Sequence, residues 1–361
     1  MANLMQSGLY GYRNDTLYSG HIFSIQLHIT VECDQTCTHC YMFDDKYYEA
    51  QKNNSMSTPM ILALIEDYNR LALANNAKGM IAITGGDPIL HKDFWTICEY
   101  IYSKENLDFV IMGNPYHIDD EVAIKLKKCG IIQYQMSLDG LEKTHDSIRK
   151  NGSFAETIRA LETLNKHGIV STVMMTVSKY NGNQAIPLLD YINSLNCISG
   201  FCIDRLVPTG AGEELRSMMF SPKEYREFLF GLFKHERNKQ IKVEKKDNLW
   251  MPMLKEQGLL NPYEDMGEKQ LNGCSICSGS LTILANGSVL LCRRMDIEIG
   301  NLRETTLENI YLNNSWKLLC GSRENYVKCK NCDLYSYCRG CPANAYACEQ
   351  DIFSSDPQCW Y

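Results

Sequence analysis

The chain has 361 residues, above the roughly 250–300 at which a single hydrophobic core stops growing, so two domains or one barrel with an appendage is expected. Hydrophobic residues make up 45% and charged residues 22%, which excludes wholesale disorder, and a net charge of −7 argues against a nucleic-acid-binding surface. Apolar runs such as Phe228 to Phe233 fall far short of the roughly 18 residues of a membrane span, and no basic start leads into an apolar stretch; no membrane partner, no secretion signal and a cytoplasmic location are expected.

In chain order, a short N-terminal extension (1–21) precedes a long alternation of apolar β-branched runs and amphipathic stretches (22–238). Strands are predicted at 22–30, 79–84, 107–112, 131–138, 169–177 and 198–206, and helices at 58–75, 92–103, 119–129, 154–167, 184–195 and 222–238. The helical periodicity shows in Ile61, Leu64, Ile65, Tyr68 and Leu71. Strand–helix alternation with nearly continuous apolar strands means parallel βα units, and six of them make a partial (β/α)6 barrel of the α/β class. Residues 239–273 are charged and irregular and are read as a linker or lid-like insertion. Residues 274–361 form a small cysteine-rich domain.

Cysteine is the anomaly, with 17 residues. In a chain without a signal peptide this crowding points to metal rather than disulfides. Cys98, Cys129, Cys197 and Cys202 are scattered, as small buried hydrophobes usually are. Three more, Cys33, Cys37 and Cys40, directly follow the first strand, where parallel α/β folds place their active sites. A C-x3-C-x2-C loop supplies three thiolates, whereas a structural zinc or an ordinary four-iron cluster wants four ligands, so one iron is left open. The alternative is a zinc site completed by His39 or a distant residue.

The run CDQTCTHCY, ending in Tyr41, resembles the signature of the radical S-adenosylmethionine (radical SAM) superfamily. The resemblance implies a [4Fe–4S] cluster on Cys33, Cys37 and Cys40 whose open iron is chelated by the amino and carboxylate groups of SAM. Reductive cleavage of SAM then gives a 5′-deoxyadenosyl radical that abstracts a substrate hydrogen. By the same resemblance ITGGDP (83–88) matches the family's Gly-Gly-Glu-Pro segment, with Asp87 as a shorter acid and Gly85 and Gly86 suited to close backbone approach. An ordinary strand-to-helix turn is the other reading of that run. The segment 135–154 implies SAM contacts at Ser137 and Arg149, the latter through its planar fork, and Asp139 either joins them or closes an Asp-Gly turn. Asn114 stands in the place of a Thr-Asn-Gly run, and Leu206 fits either an apolar adenine contact or plain core packing.

The C-terminal spacings, C-x2-C-x14-C from Cys274 and C-x2-C-x5-C-x2-C-x17-C from Cys329, resemble the SPASM extension of these enzymes, one residue shorter than usual between Cys338 and Cys341. The interleaved topology of that extension implies one auxiliary [4Fe–4S] cluster on Cys274, Cys277, Cys292 and Cys341, and a second on Cys329, Cys332, Cys338 and Cys359, making three clusters in all. Two zinc ribbons are the alternative. Cys348 is left over, as a spare thiol or a replacement ligand, and Cys320 is also unassigned.

Relatives with this extension mostly modify peptides, which implies a peptide substrate acquiring a thioether or carbon–carbon crosslink. A flavodoxin- or ferredoxin-type electron donor is implied as well, and so is a leader recognised elsewhere or by a separate protein. Sulfatase-maturing relatives carry an Asp base right after the third cysteine of the extension; here that place is Arg293, followed by Arg294, and an arginine cannot serve as a base. Two arginines there suit an acidic substrate. A small-molecule substrate and a non-catalytic iron–sulfur or zinc scaffold remain as alternatives.

Overall fold

The computed structural model describes residues 24–43, 47–237, 239–260, 273–274, 276, 280–313 and 322–361. The extension 1–21, Cys277 and Cys320 lie outside them. Each of the six expected strands is present: β1 (Ser24–Thr30), β2 (Gly79–Gly85), β3 (Leu107–Met112), β4 (Gln133–Ser137), β5 (Ser171–Val177) and β6 (Gly200–Arg205). They run parallel and adjacent in sequence order. Between and after them lie α1 (Tyr48–Asn53), α2 (Thr58–Ala74), α3 (Phe94–Tyr102), α4 (Asp120–Lys128), α5 (Glu142–Ile148), α6 (Ser153–Lys166), α7 (Ala185–Leu195) and α8 (Pro222–Glu236). The caps were written locally: the Asp119 carboxylate accepts the Val122 N–H at 2.8 Å, and Ser221 with Glu224 closes a capping box ahead of α8, with Pro222 first in the helix.

Strand alternation decides what faces where. Ile25, Leu27 and Ile29 of β1, Phe109 and Ile111 of β3 and Val173 and Met175 of β5 are buried, each such side chain contributing about 1.5–3 kcal/mol. The alternate residues Gln26, Met112, Met174 and Thr176 wall a cavity instead. Gln26 of β1 and Asp204 of β6 wall that same cavity although five strand spacings, roughly 24 Å in a flat sheet, would separate them, so the sheet curls into an open barrel.

The described part of 239–273, residues 239–260 and 273, differs from its reading as a linker. Lys242–Glu244 forms β7, a seventh parallel strand beside β6, and Trp250–Glu256 forms α9, whose Trp250, Met251, Met253 and Leu254 are buried. A three-residue strand is too short to show a period, and Val243 is its single apolar residue, between Lys242 and Glu244. The cysteine-rich part also joins the sheet. β8 (Ser280–Ile283) pairs parallel with β1 in the register Ser24↔Ser280 to Leu27↔Ile283, and β9 (Ser288–Leu290) and β10 (Glu298–Asn301) follow antiparallel. The ten-stranded sheet therefore runs from the appendage through the barrel without a break. Helices α10 (Leu307–Leu312) and α11 (Pro342–Glu349) complete the described α-helices.

Candidate active site

The loop after β1 carries the first three cysteines, and backbone hydrogen bonds hold it on several sides. Gly86 N–H donates to Thr30 O at 3.0 Å, Asp87 N–H to Glu32 O at 2.7 Å, Thr38 N–H to Ile148 O at 2.9 Å and Ala211 N–H to Cys40 O at 3.0 Å. This explains the glycine pair. A Cβ on Gly86 would sit 2.1 Å from Glu32 O, and one on Gly85, whose φ is +148°, 2.2 Å from Thr30 O. The close approach that requires these glycines is to the backbone of the cysteine loop, and both residues also reach the cavity wall.

Cys33, Cys37 and Cys40 all line a cavity of about 340 Å³ at the carboxyl ends of the strands. Burial pushes all three thiols up, Cys37 to about 11, with neighbouring cysteines adding to the effect. Two donors already face the sulfurs: Asn114 Nδ2 at 3.3 Å from Cys33 Sγ and Arg149 Nη1 at 3.6 Å from Cys37 Sγ. Around one tetrahedral zinc, sulfurs stand about 3.8 Å apart. Among the described residues no three cysteines have sulfurs all within 4.8 Å of one another. Half-buried thiols that do not all come within reach of one ion, with donors directed at them, fit a multi-iron cluster.

Arg149, Asn114, Ser137, Tyr41 and Leu206, all expected near SAM, line this cavity. Two expected contacts lie behind the wall. Asp139 is fully buried; its Oδ2 accepts Arg149 Nε at 2.5 Å, its Oδ1 accepts the Thr176 N–H at 2.9 Å, and Asn181 Nδ2 reaches its carbonyl at 3.0 Å. Burial works against its ionisation, but Arg149, His39 and His145 together hold its carboxyl below the usual range. Asp139 thus orients Arg149. Asp87 is also fully buried, with Oδ1 accepting the Asn114 N–H at 3.3 Å and Oδ2 left without a hydrogen-bond partner. Burial, followed by the neighbouring Asp34, raises its pKa to about 7.

Sequence reasoning missed several wall residues. Gln26, Gln135, Thr176, Asp204 and Arg205 line the cavity, and His39 joins them 3.8 Å from Asp139. For Gln26, Gln135, Thr176 and Asp204 the signal was the polar member of alternating strand positions, readable only once the inner face was known.

The extension closes the cavity on one side through Cys292, Arg293 and Arg294. Arg293 lies over the Tyr41 ring at 4.9 Å and donates to Tyr41 O at 3.0 Å, and Arg294 pairs with Asp204 at 3.3 Å. The Arg294 guanidinium also lies beside Cys292 and Cys341, and Cys274 is near enough to Cys341 to oppose its ionisation. Three of one expected four-cysteine set are therefore neighbours, the fourth, Cys277, being outside the described residues. The other set, Cys329, Cys332, Cys338 and Cys359, walls a single small cavity of about 20 Å³. Cys348 stands apart, 4.0 Å from the Met219 sulfur.

Two family models match this chain: the radical SAM superfamily over residues 27–192, and the SPASM iron–sulfur cluster-binding domain over residues 274–342. The chain is a radical SAM enzyme with a SPASM domain. These two domains imply [4Fe–4S] clusters and SAM binding. An AdoMet-dependent heme synthase of Methanosarcina barkeri is 26% identical, covering 92% of this chain and 95% of that protein. A cysteine-type anaerobic sulfatase-maturating enzyme of Clostridium novyi is 25% identical over 86% of this chain and 85% of its own. Among solved structures, Streptococcus suis SuiB bound to the precursor peptide SuiA superposes with a TM-score of 0.74 at 18% identity, over 95% of this chain and 76% of that one. In this radical SAM enzyme no described helix is long and apolar enough to cross a membrane.

Proposed function

We propose that the enzyme abstracts one hydrogen atom from a peptide substrate held in the 340 Å³ cavity and installs a thioether or carbon–carbon crosslink in it, the second hydrogen leaving as a proton to solvent and an electron that an iron–sulfur cluster of the extension would accept. The observation that carries this reading is that one cavity is walled both by Cys33, Cys37 and Cys40 and by Cys292, Arg293 and Arg294 of the extension. A substrate lying there meets the radical source on one side and the extension on the other. A SAM-chelated cluster supplies the 5′-deoxyadenosyl radical when bound. The protein's own part is to place and to shield. Arg149, braced by Asp139, offers its fork to the SAM carboxylate, and Gly85 and Gly86 give SAM a close backbone wall with Asp87 behind it. Leu206 and the methionines Met112 and Met174 keep the wall apolar, which excludes water from a reactive radical.

Eight cysteines in two sets support two further clusters, three in total. A flavodoxin- or ferredoxin-type donor would reduce them. Arg293, where a base would stand in a sulfatase-maturating enzyme, is committed to Tyr41 and weighs against formylglycine formation.

A second reading is a small carboxylate-bearing molecule, a heme precursor included; the extent of the M. barkeri match favours it. One experiment separates the two. After anaerobic reconstitution, reduced enzyme and SAM are incubated either with a synthetic cysteine-bearing acidic peptide or with an iron-bearing tetrapyrrole. Loss of two hydrogens from the peptide by mass spectrometry supports the first reading. Turnover of the tetrapyrrole alone supports the second, and colourless protein that never cleaves SAM refutes both.

A further inference from the structure

Asp356 lies where three parts of the molecule meet, and nothing above gives it a part in binding SAM or substrate. Arg205, on β6 and in the wall of the substrate cavity, grips it with both ends of its fork: Nη1 to Oδ1 and Nη2 to Oδ2, each 2.8 Å. The same Oδ2 accepts the Cys341 N–H at 2.8 Å, and the Asp356 carbonyl accepts the Cys359 N–H at 3.0 Å. Cys341 belongs to one four-cysteine set and Cys359 to the other. One residue therefore braces a ligand of each, and it also borders the small cavity walled by the second set. Gly340, at φ +66°, makes room, since a Cβ there would lie 2.7 Å from the Asp356 Cβ. Arg205 is held in turn by Asp247 at 2.7 Å and Gln358 at 3.1 Å, and the two ion-paired partners of Arg205 are both almost fully buried.

We propose that Asp356, oriented by Arg205, is a positioning residue that sets the reduction potentials of the two auxiliary clusters together. The inference rests on the reading that the two cysteine sets hold clusters. Two effects act in the same direction. A fixed, buried negative charge beside a centre that gains an electron on reduction makes that reduction harder, the more so in a low-dielectric interior. The Cys341 N–H, committed to the carboxylate, is withdrawn from donation to cluster sulfur, which would have favoured the reduced state. Arg205 offsets only part of the charge, because it serves Asp247 as well.

The test uses the anaerobically reconstituted full chain. Iron is counted first: wild type holding only about four irons would defeat the two-cluster reading itself. With about twelve irons present, EPR-monitored redox titration of wild type and Asp356→Asn decides the proposal. Both auxiliary midpoints are expected to move to higher potential in the variant while that of the SAM-binding cluster stays in place. Movement of only one auxiliary midpoint, or of neither, overturns it. Should Asp356→Asn fail to retain iron, Asp247→Asn serves instead. That residue shares Arg205 but, among the described residues, makes no hydrogen bond to either cysteine segment, so both auxiliary midpoints should rise by a smaller, joint amount, and a shift of one alone overturns the proposal.

Discussion

Arg149 and Asp139 form a pair in which only the arginine reaches the cavity: Nε and Oδ2 are 2.5 Å apart, the arginine side chain is 11% exposed and the aspartate not at all. The planar guanidinium thereby keeps its Nη edge for the cavity and for Cys37. A cation braced by a buried anion loses little freedom when it binds a carboxylate, which is why this pair suits a SAM contact.

Arg149→Ala is expected to weaken SAM binding by roughly 10- to 150-fold, the loss of a charge-assisted hydrogen bond worth about 1.5–3 kcal/mol. Asp139→Asn should weaken it less, since the arginine stays but loses its brace. Anaerobic equilibrium dialysis at unchanged iron content measures both. Equal SAM affinity in wild type and Arg149→Ala would place the carboxylate elsewhere.

Replacing Cys33, Cys37 and Cys40 together with Ala should remove about four irons and all 5′-deoxyadenosine formation. Iron analysis and chromatography of the reaction mixture test this. SAM cleavage persisting in the triple variant would mean that the radical arises at another cluster.

Cys332→Ala should destabilise the extension, because cluster binding is coupled to folding, and should abolish substrate turnover while SAM cleavage survives. Cys348→Ala should keep about twelve irons, because its sulfur faces Met219 and borders neither cavity. A loss of about four irons in the latter variant would make Cys348 a ligand.

Asp87 gives a pH prediction for the metal-free, reduced protein. Burial lifts its folded pKa to about 7, above the ordinary carboxyl value, so the buried acid is tolerated when protonated, and stability falls as pH rises from about 4 through 7. The gap is worth roughly 4 kcal/mol at most. Asp87→Asn should therefore raise the thermal midpoint at pH 8 and flatten its pH dependence. Parallel melting curves across pH 4–8 for wild type and variant would contradict the assignment.

The barrel and the three-cysteine loop were legible because their signals are local. Nearly continuous apolar runs of strand length, helical spacing over one or two turns, and C-x3-C-x2-C directly after a strand each need only neighbours along the chain. The glycine pair was legible as a need for close approach, but not what approached: Thr30 and Glu32 lie over fifty residues away. β7 and β8, of three and four residues, carry no period of their own and exist because β6 and β1 offer free edges.

What the sequence alone determined is the chemistry class, since the ligand atoms of a cluster are fixed by residue type and spacing within one loop. What only the tertiary structure decided is how those atoms are held and joined. Asp139 sits behind Arg149 rather than on the wall, and Arg205 meets Asp356 across 151 residues of chain. Buried charges must find partners wherever the fold brings one, and no period or motif records a partner that distant.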